Sequence, residues 1–477
     1  MWKLIDEVFI DFKKCFNRNA TFEWFIVIVV GFMIRSDKLG VTSVIRDLDI
    51  ASKSYTTMMH FFRSDAWKLQ DLINTWVKIV KGIAPIYKED GFTILVGDGV
   101  KQSKEARRMP GVKKLHQESE NSSKAEYIFG HMFGGVGVLI GAFNTKMFCV
   151  PLSMKIHDGV KAIRKWNNSD KTEGSHVVQM VENGFDSAKI MGKSILLLDR
   201  YFLAATALIK LSELNKEHGR LLDIITKAKL SVVAYTKPLK NKGKGRPRKK
   251  GESIKLRNVF EDRKDDFIED TIMLYGKEEK VKYLCLDLLW GQKLYQELRF
   301  VLVTYNDVKS ILVSTNLEID PKKVISLYSY RFKIECTFRE LKQVVGGFSY
   351  QFWCKSIPKL KKYTIKGETN PIEIIECEKT KLLILSTLNA IEGYVMCSCI
   401  AIGMLQVISI NFSKDINNSS FRFLRTKSNK VVSEATVACF LRKNIFRHIA
   451  KNNRFIIPKI IRQKQSETCF RGELRVY

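Results

Sequence analysis

Three acidic residues, Asp98, Asp199 and Glu335, lie where separate elements of a fold could hold them together. The runs 93–98 and 194–199 are short, mostly apolar and end at an aspartate, which is typical of a buried β-strand followed by a turn. Such aspartates can converge at the carboxyl edge of an α/β sheet, although each can also be a plain turn former or helix N-cap. Three carboxylates suit Mg²⁺, and two such ions about 3.5–4 Å apart can support phosphodiester cleavage.

Tyr328, Arg331, Glu335 and Lys342 lie at offsets of 3, 7 and 14 in a segment rich in charge. We predict that this segment is one helix, in which these offsets bring the four side chains to within about 60° of one direction. Glu335 is then an acid between two cations. The same spacing also suits an ordinary solvated helix, because Arg331 and Glu335 form an i,i+4 pair of a kind common on protein surfaces.

The segment 328–342 resembles the Tyr-Arg-Glu-Lys signature of bacterial insertion-sequence transposases of the insertion-sequence-four type. The resemblance implies that Asp98, Asp199 and Glu335 are an Asp-Asp-Glu triad that performs the catalysis and holds Mg²⁺, with Mn²⁺ as its substitute. The chain departs from some members of the family after Asp199, where it continues as Arg-Tyr-Phe. That departure leaves Asp199 intact, but no role known in the family is carried over to its neighbours.

The resemblance also implies which residues bind DNA phosphates. Arg331 and Lys342 match the positions that grip phosphates near the transposon end, and an arginine fork and a lysine point charge suit that role. Tyr328 belongs to the same expected set, although a tyrosine on this face can equally pack in the core. We therefore expect one face of the predicted helix to carry both a metal ligand and phosphate contacts.

On this resemblance we expect a DNA transposase that binds terminal inverted repeats and catalyses Mg²⁺-dependent strand cleavage and strand transfer by a cut-and-paste route. The implied partners are double-stranded DNA and a second copy of the chain in the synaptic complex, with no membrane. The implied location is the bacterial cytoplasm, in association with the nucleoid. Two alternatives stay open: a metal-dependent nuclease that does not join strands, and an inactive or domesticated DNA-binding protein derived from a transposase.

The net charge agrees with a nucleic-acid partner. The 477 residues include 80 Lys and Arg against 50 Asp and Glu, a formal charge of +30, which favours binding to a polyanion. Anionic lipid or ribosomal RNA would also satisfy such a charge. The densest basic run is 240–250, where we predict that Arg246 and Arg248 contact DNA phosphates from an extended loop. The alternative is a solvated linker without specific contacts.

The order of elements predicts an α/β protein, and the resemblance implies a ribonuclease-H-like catalytic core. We expect three strands, helix, strand, helix, strand and helix, with 230–235 as the last core strand. A β-rich insertion is expected before the segment of Glu335, and Trp290 in it either packs in the core or stacks on a base.

The predicted parts are an N-terminal helical DNA-binding domain (1–88) with a possible helix-turn-helix in 41–63, the first part of the core (89–236), a basic loop and β-rich insertion (237–315), the final core helix with packing helices (316–412), and a basic, helical C-terminal region (413–477).

Cysteine usage and apolar segments set further bounds. The ten cysteines lack paired metal-ligand spacing, so we interpret them as reduced thiols of a cytosolic protein. The run 394–412 carries no charged residue and is long enough just to cross a membrane. Ser398, Gln406 and Ser409 interrupt it, which favours a buried helix that packs on the catalytic core.

Overall fold

The computed structural model describes residues 1–117, 125–142, 146–166, 174–238, 248–362, 370–416 and 431–465. Over these ranges the chain forms a mixed α/β fold with helices at the N-terminus, a large mixed sheet, and helices at the C-terminus. The predicted α/β class is therefore confirmed. The predicted domain boundaries stay predictions.

Five helices form the N-terminal part of the fold. They are α1 (Trp2–Asp11), α2 (Asn19–Ile34), α3 (Thr42–Asp47), α4 (Ser54–Arg63) and α5 (Leu69–Ile83). Helix α2 is apolar on all sides and almost wholly buried, which is typical of a helix surrounded by protein. Helices α3 and α4 lie in the segment 41–63, where a helix-turn-helix was predicted.

A run of strands and helices follows and builds one half of the sheet. Its strands are β1 (Lys88–Glu89), β2 (Phe92–Ser103), β3 (Lys113–His116), β4 (Tyr127–Gly141), β5 (Met147–Ile156), β6 (Ser194–Leu197) and β7 (Leu222–Ala228). Strand β8 (Val233–Tyr235) follows β7 in the chain but belongs to the second half of the sheet. Its helices are α6 (Lys161–Lys165), α7 (His176–Met191) and α8 (Ala205–His218). Strands β2, β6 and β7 are parallel neighbours, whereas β4 pairs antiparallel with β2 and β5.

The prediction that 230–235 is the last core strand is wrong. The third parallel strand is β7, whose residues from Leu222 pair with β6. Polar residues interrupt the apolar pattern of β7, and Asp223 is the clearest case. This aspartate is buried because it accepts hydrogen bonds from Thr315 at 2.9 Å and Arg220 at 3.2 Å. A strand whose polar side chains find partners inside the fold does not show the apolar run that identified β6.

The rest of the second half of the sheet comes from residues 253–314. Its elements are β9 (Ser253–Lys255), α9 (Leu256–Asp262), β10 (Ile268–Leu274), β11 (Lys277–Trp290), β12 (Gln296–Tyr305) and β13 (Val308–Ser314). Strand β13 pairs antiparallel with β7, so these strands extend the same sheet. Within the described residues the sheet has 13 strands, in the order β3-β4-β2-β6-β7-β13-β12-β11-β8-β9, with β1, β5 and β10 attached to its path.

The remaining helices are α10 (Pro321–Tyr328), α11 (Lys333–Gln343), α12 (Glu378–Asn411), α13 (Glu434–Lys451) and α14 (Ile456–Lys464). Short 3₁₀ turns are found at Lys13–Cys15, Arg200–Phe202, Lys264–Asp266 and Ser413–Asp415. Among the described helices, α12 alone is long and apolar enough to cross a membrane, and 94% of its apolar window is buried inside the protein. It packs on β5, α2 and α13, as expected for the run 394–412.

A buried arginine ties the N-terminal helices to the rest of the fold. Arg35, which is 1% exposed, donates to the Val345 carbonyl at 2.9 Å and to the Tyr394 hydroxyl at 3.2 Å. Its other terminal nitrogen donates to the Gly40 carbonyl at 3.0 Å. Because a buried cation needs such partners, the end of α2 is fixed against the segment after α11 and against α12. The N-terminal helices and the sheet share one apolar core.

A buried histidine should make the stability of the fold depend on pH. His131 is fully buried on β4, where its Nδ1 accepts from the Tyr350 hydroxyl at 2.7 Å and its Nε2–H donates to the Pro110 carbonyl at 2.8 Å. Burial lowers the pKa of His131 from 6.5 to about 4, so the folded protein keeps this ring neutral at pH values where the unfolded chain is protonated.

We expect the free energy of unfolding to fall between pH 7 and pH 5, and to fall by about 2 kcal/mol less in His131→Gln. The measurement is chemical denaturation at both pH values. The control is His116→Gln, since the His116 side chain is 50% exposed. An unchanged pH dependence in His131→Gln would show that this ring does not stay neutral in the fold.

Candidate active site

The predicted single helix from Tyr328 to Lys342 is wrong. Tyr328 ends α10, residues 329–332 form a turn, and α11 begins at Lys333. The turn is held by bonds to the third preceding residue, such as Arg331 N–H to the Tyr328 carbonyl at 3.0 Å. The Ser329 hydroxyl donates to the Ser326 carbonyl at 2.6 Å, and such side-chain bonds compete with the regular helical pattern. Arg331 therefore lies in a turn between two helices.

Asp98 lies inside β2, and its predicted place at the end of a strand is wrong. The parallel pairing of β2 with β6 ends at Val96, but β2 continues to Ser103 because it stays paired with the glycine-rich β4. Asp98 faces Gly135 of β4 in this register. The carboxylate thus still lies just past the carboxyl end of the parallel pairing, the place at which sites form in α/β sheets.

Asp199 lies in the turn two residues beyond β6, which ends at Leu197. Its Oδ1 accepts a hydrogen bond from the Arg200 N–H at 2.6 Å and caps a short 3₁₀ turn. Its carbonyl accepts from the Thr226 hydroxyl of β7 at 2.8 Å. These bonds fix the backbone at Asp199 against the neighbouring parallel strand.

Arg331 bridges two of the three predicted acids. Its Nη1 lies 3.0 Å from Asp98 Oδ2, and its Nη2 bonds Glu335 Oε1. The Arg331 side chain is only 16% exposed and that of Asp98 20%, whereas that of Glu335 is 55% exposed. Burial, followed by the smaller effects of the negative charges of Glu335 and Asp199, raises the pKa of Asp98 to about 6, although Arg331 opposes the shift. Asp98 therefore lies within electrostatic reach of both other acids.

The donor set suits a hard divalent cation, but its arrangement is not closed around one. Carboxylate oxygens from separate elements are the ligands that Mg²⁺ prefers, and Asp98, Asp199 and Glu335 supply them. Within the part of the chain that the structure describes, no group of three His, Cys, Asp or Glu side chains is arranged to hold a metal ion. Arg331 lies between Asp98 and Glu335, so its single positive charge offsets part of the charge of these two carboxylates.

The other predicted phosphate-binding residues differ in position. Tyr328 is partly buried. Burial raises the pKa of its hydroxyl, Arg331 lowers it, and the charges of Asp199 and Asp98 raise it. Lys342 lies seven residues beyond Glu335, about 10 Å along the helix, and its Nζ is 5.7 Å from the centre of the Phe348 ring.

The basic run contributes one described residue to the predicted DNA contacts. Arg248 is exposed, and Arg246 lies outside the described residues. The exposure of Arg248 is compatible with a phosphate contact but does not bring it to the acids.

A histidine pair borders the acids and was not identified from the sequence. His157 and His176 join through their Nδ1 atoms at 2.8 Å, and the Asn183 amide donates to His157 Nε2 at 2.7 Å. Burial lowers the pKa of His176 to about 4 and that of His157 well below its usual range. The His176 ring lies 5.3 Å from the ring of Phe202, which ends the turn that Asp199 caps. No motif links these residues, so only the fold brings them together.

Comparisons of the chain with protein-family models, with curated proteins and with solved structures give no match. The function must therefore be argued from the charges and geometry of this chain. The strongest constraint on the function is the pair of bonds from Arg331 to Asp98 and Glu335, with Asp199 just beyond the strand that neighbours that of Asp98.

The packing of the histidine pair against β4 gives a stability test. A Cβ atom at Gly134 would lie well inside van der Waals contact with the His157 ring, so Gly134→Ala must displace that ring. We expect Gly134→Ala to reduce the free energy of unfolding by about 1–3 kcal/mol, as overpacked sites do.

The matched control is Gly82→Ala, because Gly82 lies in α5 with open space around it. We expect the control to stabilise the protein by about 0.5–1 kcal/mol. Chemical denaturation of both variants provides the comparison, and an equal effect at the two sites would contradict the position of His157.

Proposed function

We propose that this protein is a DNA transposase of the Asp-Asp-Glu type, which cleaves DNA at terminal inverted repeats and joins the freed ends to target DNA. The observation that carries the proposal is the placement of three carboxylates on separate elements, two of them joined through Arg331. Asp98 lies on β2, Asp199 follows the adjacent parallel strand β6, and Glu335 lies in the first turn of α11. Arg331 and Tyr328 lie beside them, which supports a site for phosphate as well as for metal.

The topology supports a ribonuclease-H-like core as the finer description of the fold. Strands β5, β4 and β2 are consecutive antiparallel neighbours, and β6 and β7 continue from β2 as parallel strands. Helices α7 and α8 provide the crossovers into the two parallel strands. On this proposal β8–β13 are an insertion between β7 and the helix that carries Glu335, since β8 pairs with β9 and β11. Trp290 ends the insertion strand β11 and packs against the apolar cluster there, which favours its structural interpretation.

The proposed chemistry assigns a role to each side chain. Asp98, Asp199 and Glu335 would hold Mg²⁺, or Mn²⁺ in its place, through carboxylate oxygens. When bound, these ions activate a water or hydroxyl nucleophile and stabilise the leaving oxygen. The Arg331 guanidinium can donate two hydrogen bonds to one phosphate, and the Tyr328 hydroxyl can donate one.

The charge of the chain supports DNA as the partner. A formal charge of +30 attracts a duplex regardless of sequence through its phosphates. Two DNA ends must be brought together for transposition, which is the reason to propose a homodimer on DNA. The bacterial cytoplasm, with the nucleoid, is the proposed location.

One observation favours a second candidate, a DNA-binding derivative that does not cut. Arg331 bonds two of the proposed metal ligands at once, and such an ion pair can stabilise the fold without any metal. A protein of this kind would bind inverted repeats through the same basic surface. The two candidates differ in whether Mg²⁺ permits cleavage.

The triad predicts a specific pattern of activity. We expect Asp98→Asn, Asp199→Asn and Glu335→Gln each to reduce Mg²⁺-dependent excision at least about a hundredfold. Loss of a residue that only supports a metal ligand already lowers metal affinity or activity by about 10–100-fold. Binding to the DNA ends should be retained. The measurement is excision from a plasmid that carries the DNA flanking this gene, with binding followed by gel shift.

The matched control is Glu340→Gln, on α11 but bonded to Arg339 at 2.9 Å rather than to Arg331. We expect this variant to excise at the wild-type rate. Wild-type activity in any triad variant would remove that residue from the mechanism. End binding without excision by the wild-type protein would favour the DNA-binding derivative.

A further inference from the structure

Arg331 uses its two terminal nitrogens on two different carboxylates. Nη1 bonds Asp98 Oδ2 at 3.0 Å and Nη2 bonds Glu335 Oε1. The other oxygen of Asp98 accepts the Gly99 N–H at 2.7 Å. The guanidinium thus serves as the counter-ion of Asp98, whose side chain is 20% exposed against 55% for Glu335.

The electrostatics make this counter-ion necessary. An ionised carboxylate that is largely removed from water needs a partner charge, and Asp98 also lies near the negative charges of Glu335 and Asp199. A divalent cation bound by these carboxylates would compete with the guanidinium for the same oxygens and would repel it. Arg331 and the cation therefore cannot both use Asp98 and Glu335 as their principal partners.

The backbone at Arg331 allows the side chain to leave. Residues 329–332 form the turn between α10 and α11 and are held by bonds to the third preceding residue. The Arg331 side chain can exchange partners here without unwinding either helix. A DNA phosphate offers the same two-oxygen partner as a carboxylate.

We propose that Arg331 is an internal cation that holds Asp98 and Glu335 in the metal-free protein, and that a divalent cation binds tightly only when a DNA phosphate draws the guanidinium away. This inference rests on the proposed function, because it takes the three carboxylates as metal ligands. It goes further in coupling metal loading to DNA binding. By linkage, the metal must strengthen DNA binding by the same factor by which DNA strengthens metal binding.

The test is the affinity of the full chain for Mn²⁺ without DNA, measured by isothermal titration calorimetry. We expect Arg331→Gln to bind Mn²⁺ about tenfold more tightly than the wild type, since removal of a nearby cation of this kind changes an affinity by roughly that factor. The matched control is Arg339→Gln, which removes the same charge from α11. Arg339 is 60% exposed and pairs with Glu340, so its loss should leave Mn²⁺ affinity unchanged.

A second arm adds a short DNA duplex of arbitrary sequence. Wild-type affinity for Mn²⁺ should then rise about tenfold, whereas Arg331→Gln should show little further gain. If Arg331→Gln does not fold, Arg331→Lys provides the comparison, because lysine keeps the charge but lacks the planar pair of terminal nitrogens that bonds two carboxylates at once. We expect it to bind Mn²⁺ with intermediate affinity.

The outcomes separate this inference from the proposed function. Equal or weaker Mn²⁺ binding by Arg331→Gln, in a protein whose wild type excises DNA, would overturn the role of Arg331 alone. No Mn²⁺ binding by the wild type or any variant, with or without DNA, would overturn both proposals. An equal increase in Mn²⁺ affinity in Arg331→Gln and Arg339→Gln would show that the effect comes from the overall charge of the protein, and would also overturn the inference.

Discussion

Helix α12 must be covered on every side, and the architecture follows from that constraint. Its 34 residues are apolar around most of the circumference, and nearly all positions from Ile384 to Ser409 are buried. A helix of this kind is stable in water only when other elements surround it. The N-terminal helices, strand β5 and helix α13 provide that cover. The two ends of the chain are therefore joined to the sheet through one core.

Polar anchors on this core fix the elements that carry the acids. Glu392 of α12 is 6% exposed in its side chain and accepts bonds from the Ile156 N–H at 2.8 Å and from Arg164 at 2.6 Å. Thr337 of α11 donates to the Cys149 carbonyl of β5 at 2.6 Å. Buried bonds of this kind are costly to leave unpaired, so they fix the register of α11 against β5. Since β5 and β2 are both neighbours of β4, the same bonds place Glu335 relative to Asp98.

The sequence predicted those elements whose burial is uniform. The run 194–199 predicted a strand, and β6 lies there at Ser194–Leu197, because all four of its residues are buried. Strand β7 was missed because Asp223 finds its partner Thr315 at 92 residues' separation. The break between α10 and α11 was not predicted, because it depends on a local hydrogen bond from the Ser329 hydroxyl to the Ser326 carbonyl. The contact of Arg331 with Asp98 spans 233 residues, and no spacing rule within one helix can predict it.

The contact between Arg331 and Asp98 also determines how the site can change state. Removing only one partner of a poorly solvated pair leaves a charge without compensation, which typically costs about 3–5 kcal/mol. A phosphate that arrives alone would take Arg331 and leave Asp98 unpaired, and a metal ion that arrives alone would displace Arg331 without giving it a new partner. When both arrive, every charge keeps a partner, so the exchange avoids either cost. Arg331, Asp98 and Glu335 thus keep their ion pairs in a protein that binds only DNA. In a protein that binds DNA and metal together, the same residues exchange partners.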